Sequence, residues 1–153
     1  MILKVKRSKV VITLIVYIVA LLYVVFLEPT RINGEHYAAP IWMPLKSTYS
    51  TVIDAGHSVK RWLLFLLNFL GNVILFMPFG FLGDALSGTP ANKFRIIIAA
   101  FFFSLCIETL QLILMIGVYD ADDILLNTLG AYVGLCVYRF MVGKNVVLVY
   151  NNS

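Results

Sequence analysis

Four long apolar stretches dominate this chain, at residues 10–27, 62–83, 96–119 and 124–142. A helix of about 20 residues crosses a hydrocarbon core of about 30 Å, and each stretch is of that order. Inside a bilayer the backbone has no water to bond, so such segments close their hydrogen bonds internally as helices. The expected fold is an all-α membrane protein, a bundle of four transmembrane helices. Charged residues make up only 13% of the sequence, against about 25% in soluble domains, so lipid is the expected solvent and the bilayer the first partner. At 153 residues, one domain over 1–153 is expected. The basic start, MILKVKRSK, resembles a secretory signal. The run after it is longer than a signal core, and EPTR follows where a small-residue cleavage site would stand, so an uncleaved first helix is expected.

Lysine and arginine positions set the expected orientation. With the N-terminus cytoplasmic, the inner side holds Lys4, Lys6, Arg7, Lys9, Lys93, Arg95, Arg139 and Lys144. The outer side then holds only Arg31, Lys46, Lys60 and Arg61, together with six of the eight acids. This favours N-in/C-in. It also reads the net charge of +4 as a topology signal and not as a nucleic-acid surface. Arg139, near the end of the fourth stretch, is expected to extend to the headgroups.

A long outer loop, residues 28–61, joins the first two spans. Pro40 and Pro44 bracket Ile41-Trp42-Met43 and argue against a continuous helix there. Trp42 suits a membrane interface, so the loop is expected to hold a short interfacial or re-entrant element. Gly88, Thr89 and Pro90 mark an inner turn, and YDADD over 119–123 makes a tight outer one.

Within the spans, polar residues fall at helical spacing. Asn68 and Asn72 share a face of the second span, where Pro78 is expected to bend the helix. Ser104, Glu108 and Gln111 share a face of the third, and Asp123, Asn127, Gly130 and Gly134 a face of the fourth. Gly130 and Gly134 form a GxxxG, which lets a second backbone approach closely. These faces are expected to meet inside the bundle. Asn68 and Ser104 read as interhelical glue, a role worth about 0.6 kcal/mol each. Glu108 is different, because a carboxylate at bilayer depth needs a partner, a proton or a water-filled cavity. Asp120, Asp122 and Asp123 fit a helix cap, and are also dense enough for a cation or cationic ligand. The expected site is therefore Asn72, Ser104, Glu108, Gln111, Asp120, Asp122, Asp123 and Asn127, with Asp120–Asp123 as its mouth. His36 and His57 read as solvated loop residues, and Cys106 and Cys136 as small packing residues. Lys46, Lys60 and Arg61 are the cations available to an outer phosphate.

Asn72, Phe76, Pro78 and Gly80, then Ser104, Ile107, Glu108 and Gln111, then Asp120, Asp122, Asp123, Asn127 and Gly130 stand at the intervals N-x-x-x-F-x-P-x-G, S-x-x-I-E-x-x-Q and D-x-D-D-x-x-x-N-x-x-G. In this the chain resembles the VanZ-like family of small bacterial membrane proteins over residues 41–138. IWMPLKS resembles a degraded form of that family's N-L-I-P-F-K segment, keeping Pro44 and Lys46. Ile41 stands near the position of the segment's Asn, and Gly117 where many members carry Arg. The resemblance implies a multi-pass protein of the bacterial cytoplasmic membrane with a cell-envelope role. The family's founding member is associated with low-level teicoplanin resistance.

Two functional readings follow. In the first, a non-catalytic protein binds a lipid or lipid-linked wall precursor at the outer face and alters glycopeptide susceptibility. In the second, an integral-membrane enzyme acts on a lipid-linked (di)phosphate, holding a divalent cation on Asp120, Asp122 and Asp123 with Glu108 as a protonated acid. The chain lacks the histidine-containing motifs of lipid phosphatases, and DADDILLN is not the NDxxD of prenyltransferases. The first reading, with no cofactor, is therefore preferred. The sequence leaves the oligomeric state open.

Overall fold

The computed structural model describes residues 3–27, 39–87, 93–143 and 147–150. The readings given to Arg31, His36, the turn at Gly88-Thr89-Pro90 and Lys144 lie outside the described residues. Strand β1 (Leu3–Lys6) leads into α1 (Arg7–Leu22), which continues through a π-helical turn, Tyr23–Leu27. Then come α2 (Lys46–Ala55), α3 (Val59–Ser87), α4 (Lys93–Leu114), α5 (Ala121–Gly143) and strand β2 (Val147–Tyr150). Four of the helical stretches are long and apolar enough to cross a membrane: Arg7–Leu27, Val59–Ser87, Lys93–Leu114 and Ala121–Gly143. The protein is a multi-pass helical membrane protein.

The architecture is helical, as expected, and the structure adds detail to the sequence expectation in several places. Beside the helices, β1 pairs in parallel with β2, Leu3 opposite Val147 and Lys6 opposite Tyr150. That pairing brings the start of α1 and the end of α5 to the same end of the bundle. The third span stops at Leu114 and not at 119. Met115 is left-handed (φ 56°), and two bonds close the end: Ile116 N–H to the Gln111 carbonyl (3.1 Å) and Met115 N–H to that of Leu112 (3.3 Å). This is the Schellman pattern, with Met where glycine is usual. Finally, the loop before α3 contains the ten-residue α2, which starts only after Pro44.

The bundle is built outward from α5. Gly130 and Gly134 meet the backbone of α3: an added Cβ would lie 2.2 Å from the Val73 carbonyl oxygen and 1.8 Å from that of Met77. Gly80 on α3 answers from the other side, its Cβ position 1.8 Å from the Ala131 carbonyl oxygen. The glycines thus allow α3 and α5 to touch backbone to backbone, as the GxxxG spacing predicts. α3 runs on through Pro78 to Ser87. Leu21, Val25, Phe76 and Ile107 form one apolar core between α1, α3 and α4, while Val10, Ala85 and Tyr138 form another nearer the strands. Large apolar side chains such as Ile12, Val16, Val19, Leu67, Phe102, Ile113 and Phe140 face outward. Such a perimeter suits lipid.

At the strand end, Arg139 is paired with Asp84. Its Nε donates to Asp84 Oδ2 at 2.7 Å and a terminal nitrogen donates to Oδ1 at 3.0 Å. Asp84 is 5% exposed. A carboxylate so buried requires a charged partner, and the fork of arginine supplies two bonds at once.

Candidate functional site

The polar face of α4 is buried as expected, with Ser104, Glu108 and Gln111 no more than 4% exposed. Each residue contacts a different element. Ser104 accepts a hydrogen bond from Asn127 Nδ2 at 2.9 Å. Glu108 Oε2 accepts the backbone N–H of Asp120 at 3.0 Å. Gln111 turns away from this group and donates to the Val25 carbonyl at 3.2 Å. Val25 lies in the π-helical turn of α1, where the change of bonding pattern leaves carbonyls for outside donors. Gly117 packs beside Gln111, its Cβ position 3.2 Å from Gln111 Cβ.

The acids of the α4–α5 turn are divided in the same way. Asp120 is the N-cap of α5, its carboxylate accepting the Asp122 N–H at 2.9 Å. In a capping box the acid three residues on would reach back to the cap's own N–H. Here Glu108 from α4 takes that N–H, and Asp123 instead accepts from Asn72 Nδ2 on α3 at 2.6 Å. Asp122, 2% exposed, caps another helix altogether. Its two oxygens accept the N–H of Leu45 and, at 2.7 Å, that of Thr48, at the start of α2. Ile41 adds a bridge, donating to Tyr119 at 2.9 Å and accepting from Ala121 at 3.0 Å. The Trp42 ring lies 4.4 Å from that of Tyr119.

The expected residues thus gather at one end of the bundle, with Gln111 bound to α1 instead of the shared group. The three aspartates point to three different partners. Among the described residues, no three His, Cys, Asp or Glu side chains converge as metal ligands. Asn127 Oδ1 is buried with no partner among the described residues. Cys106 and Cys136 are free thiols. His57 is exposed. Arg61 donates to the Asp54 carbonyl and so serves the α2–α3 turn.

Sequence reasoning expected a short element in the loop before α3, where α2 stands, but missed what lies beneath it. A cavity of about 250 Å³ opens between α2, α3 and α5, lined by Ser47, Thr48, Thr51, Leu64, Phe65, Asn68, Phe69, Asp122 and Leu126. Asn68 does not act as interhelical glue here. It lines this cavity, is exposed, and has no hydrogen-bond partner among the described residues. The signal for α2 was the hydroxyl spacing of Ser47, Thr48 and Thr51, which places all three on one helical face.

Residues 14–142 match the VanZ/LLP1 family model. Over 73 residues the chain is 34% identical to Protein VanZ of Enterococcus faecium. That stretch is 45% of this chain and 42% of the relative, so the match spans less than half of the relative's length. No solved structure matches. The family match runs from within α1 to within the last turn of α5, taking in every helix that builds the polar cluster, and the chain belongs to the VanZ/LLP1 family.

Proposed function

We propose that this protein sits in the bacterial cytoplasmic membrane with both termini inside. There it binds a lipid or lipid-linked wall precursor at its outer end without catalysis, and so alters susceptibility to teicoplanin-type glycopeptides. The observation that supports binding over chemistry is the assignment of the acids. Asp120 and Asp122 cap helices, Glu108 holds the cap's N–H, and Asp123 holds Asn72. A metal-assisted or general-acid mechanism needs such groups turned toward a substrate. Here each of them holds protein groups, and Asp122 fastens α2 over the ends of α3 and α5, leaving a recess that is polar on one side and apolar on the other. The link to glycopeptides rests on the family, and an acylated glycopeptide reaches its target through the same membrane face.

Two measurements test this. Expression of the chain in a susceptible bacterium should raise the inhibitory concentration of teicoplanin more than that of a glycopeptide lacking an acyl chain; equal or absent shifts contradict the resistance role. For orientation, Asp54→Cys in a background without Cys106 and Cys136 should react with an impermeant thiol reagent on whole cells, and Lys93→Cys should not. The reverse pattern inverts the topology.

A further inference from the structure

We infer that the recess between α2, α3 and α5 holds the uncharged, hydroxyl-bearing headgroup of a membrane lipid, such as a hexose on diacylglycerol. The inference rests on the lipid-binding reading above and specifies the ligand's chemistry.

The first support is the way α2 faces. Tyr49, Val52 and Ile53 form an apolar stripe on its outward face, 67%, 37% and 58% exposed, beside the exposed Lys46, Ser50 and Asp54. Ser47, Thr48 and Thr51 line the cavity instead. A helix on a water-facing surface turns its large apolar residues inward. The arrangement here suits a helix lying at the boundary of lipid and water, and it covers a polar space that lipid tails cannot satisfy.

The second support is the set of groups left without partners. The Asn68 amide and the Ser47 and Thr48 hydroxyls have no side-chain hydrogen bond among the described residues. Thr51 donates to the Ser47 carbonyl at 2.8 Å, leaving its oxygen able to accept. Asn68 lies six residues beyond Trp62, about 9 Å further along the helix axis. If Trp62 marks the interface, Asn68 lies within the hydrocarbon layer, where a polar group without a partner is strongly unfavourable. A bound molecule that both donates and accepts would satisfy all four groups.

The third support is charge. The start of α2 would ordinarily attract an anion such as phosphate. That position is already taken by the Asp122 carboxylate, which accepts the N–H groups of Leu45 and Thr48 and also lines the cavity. A phosphate would meet a carboxylate, and the nearby Lys46 is exposed and not part of the lining. Sugar or glycerol hydroxyls meet no such repulsion. The cavity, about 250 Å³, lies below the roughly 300–1,000 Å³ of sites that bury a drug-sized ligand. It therefore takes a headgroup and the first part of a chain, the latter against Leu64, Phe65 and Phe69.

The full chain should be placed in nanodiscs containing equal amounts of monohexosyl-diacylglycerol and phosphatidylglycerol with matched acyl chains. Retained lipid is then read by native mass spectrometry after release into detergent. The hexosyl lipid should be retained over phosphatidylglycerol by roughly tenfold or more, the scale of one or two hydrogen bonds. Asn68→Leu and Thr48→Val should each remove most of that preference, and Thr48→Val keeps the backbone bond to Asp122 should Asn68→Leu misfold. Preferential retention of phosphatidylglycerol, lost in the same variants, overturns the uncharged headgroup and leaves the lipid reading standing. Hexosyl lipid held equally by all variants overturns the assignment to this recess. No lipid of either class retained by the wild type means a water-filled recess and overturns both.

Discussion

α3 and α5 meet in two very different ways along their length. Around Gly80, Gly130 and Gly134 they touch backbone to backbone with no room for a methyl group. Toward the α4–α5 turn the same two helices part around Asn68, Phe69 and Leu126, and α2 covers the gap. The seam has small residues and fixed geometry. The recess has hydroxyls, an amide and aromatic walls. One region holds the bundle together, and the other leaves polar groups available inside a membrane protein, the arrangement expected where something binds.

The contrast is broken most severely at the seam. Gly134→Val places atoms onto the Met77 carbonyl, which cannot yield unless the helices separate. The expected cost exceeds about 4 kcal/mol, beyond the usual range for single substitutions. It should appear as loss of monodisperse protein on size exclusion. Gly71→Ala is the control, since nothing lies within 4 Å of its Cβ position. It should be neutral or mildly stabilising, by up to about 1 kcal/mol. If both variants behave alike, the close seam is not what holds α3 to α5.

The recess is broken next by releasing its cover. Asp122→Ala removes the acceptor for two N–H groups at the start of α2. Bonds to a charged group contribute about 1.5–3 kcal/mol each, so a loss of about 3 kcal/mol is expected, concentrated in α2. Limited proteolysis near Ala55 should accelerate while the four spans stay protected. Uniform destabilisation of all helices would show instead that Asp122 belongs to the core.

Glu108 should separate charge from hydrogen bonding. Glu108→Gln keeps an acceptor for the Asp120 N–H, and Glu108→Leu leaves that half-buried N–H without it. Thermal unfolding in detergent should show Gln within about 1 kcal/mol of wild type and Leu lower by about 2 kcal/mol. A Gln variant as damaged as Leu would mean that the carboxylate's charge itself is required, restoring the case for chemistry at this end. The Asn72–Asp123 pair should show weaker effects. Alanine at both positions is expected to reveal a coupling of about 1 kcal/mol in a double-mutant cycle, in line with other polar pairs inside membranes.

How much of this was legible beforehand differs by residue. The spans were, because twenty apolar residues permit few alternatives. The shared faces of Ser104 with Glu108 and of Asp123 with Asn127 were too, because helical spacing fixes them. What spacing cannot give is the partner. Gln111 sits on the expected face, yet its acceptor exists only because α1 changes its bonding at Tyr23–Leu27. Arg139 reads as a charge near a membrane surface, and Asp84 by itself suggests no partner. Their pairing depends on α3 and α5 running side by side, which the glycines bring about. The recess was least legible, since Asn68 alone resembles any polar residue of a membrane helix until α2 is laid against it.

The smallest expected effect concerns the turn that positions the acids. Met115 occupies the left-handed cap position of α4 with φ 56° and is 75% exposed. A side chain there crowds the following carbonyl, at about 1–2 kcal/mol. Met115→Gly relieves this and forfeits little burial, but the unfolded chain gains freedom that works the other way. The net gain should be under about 1 kcal/mol, read as a small rise in the thermal midpoint. Leu45 has φ 67° and is also exposed, at 64%, yet it should respond differently. Its N–H is held by Asp122 at the edge of the recess, so Leu45→Gly also loosens the chain entering α2. A gain at 115 with none at 45 supports a rigid seam beside an adaptable cover. Equal gains at both would mean that the cover is as firmly set as the seam, and that the recess does not depend on the hold of Asp122.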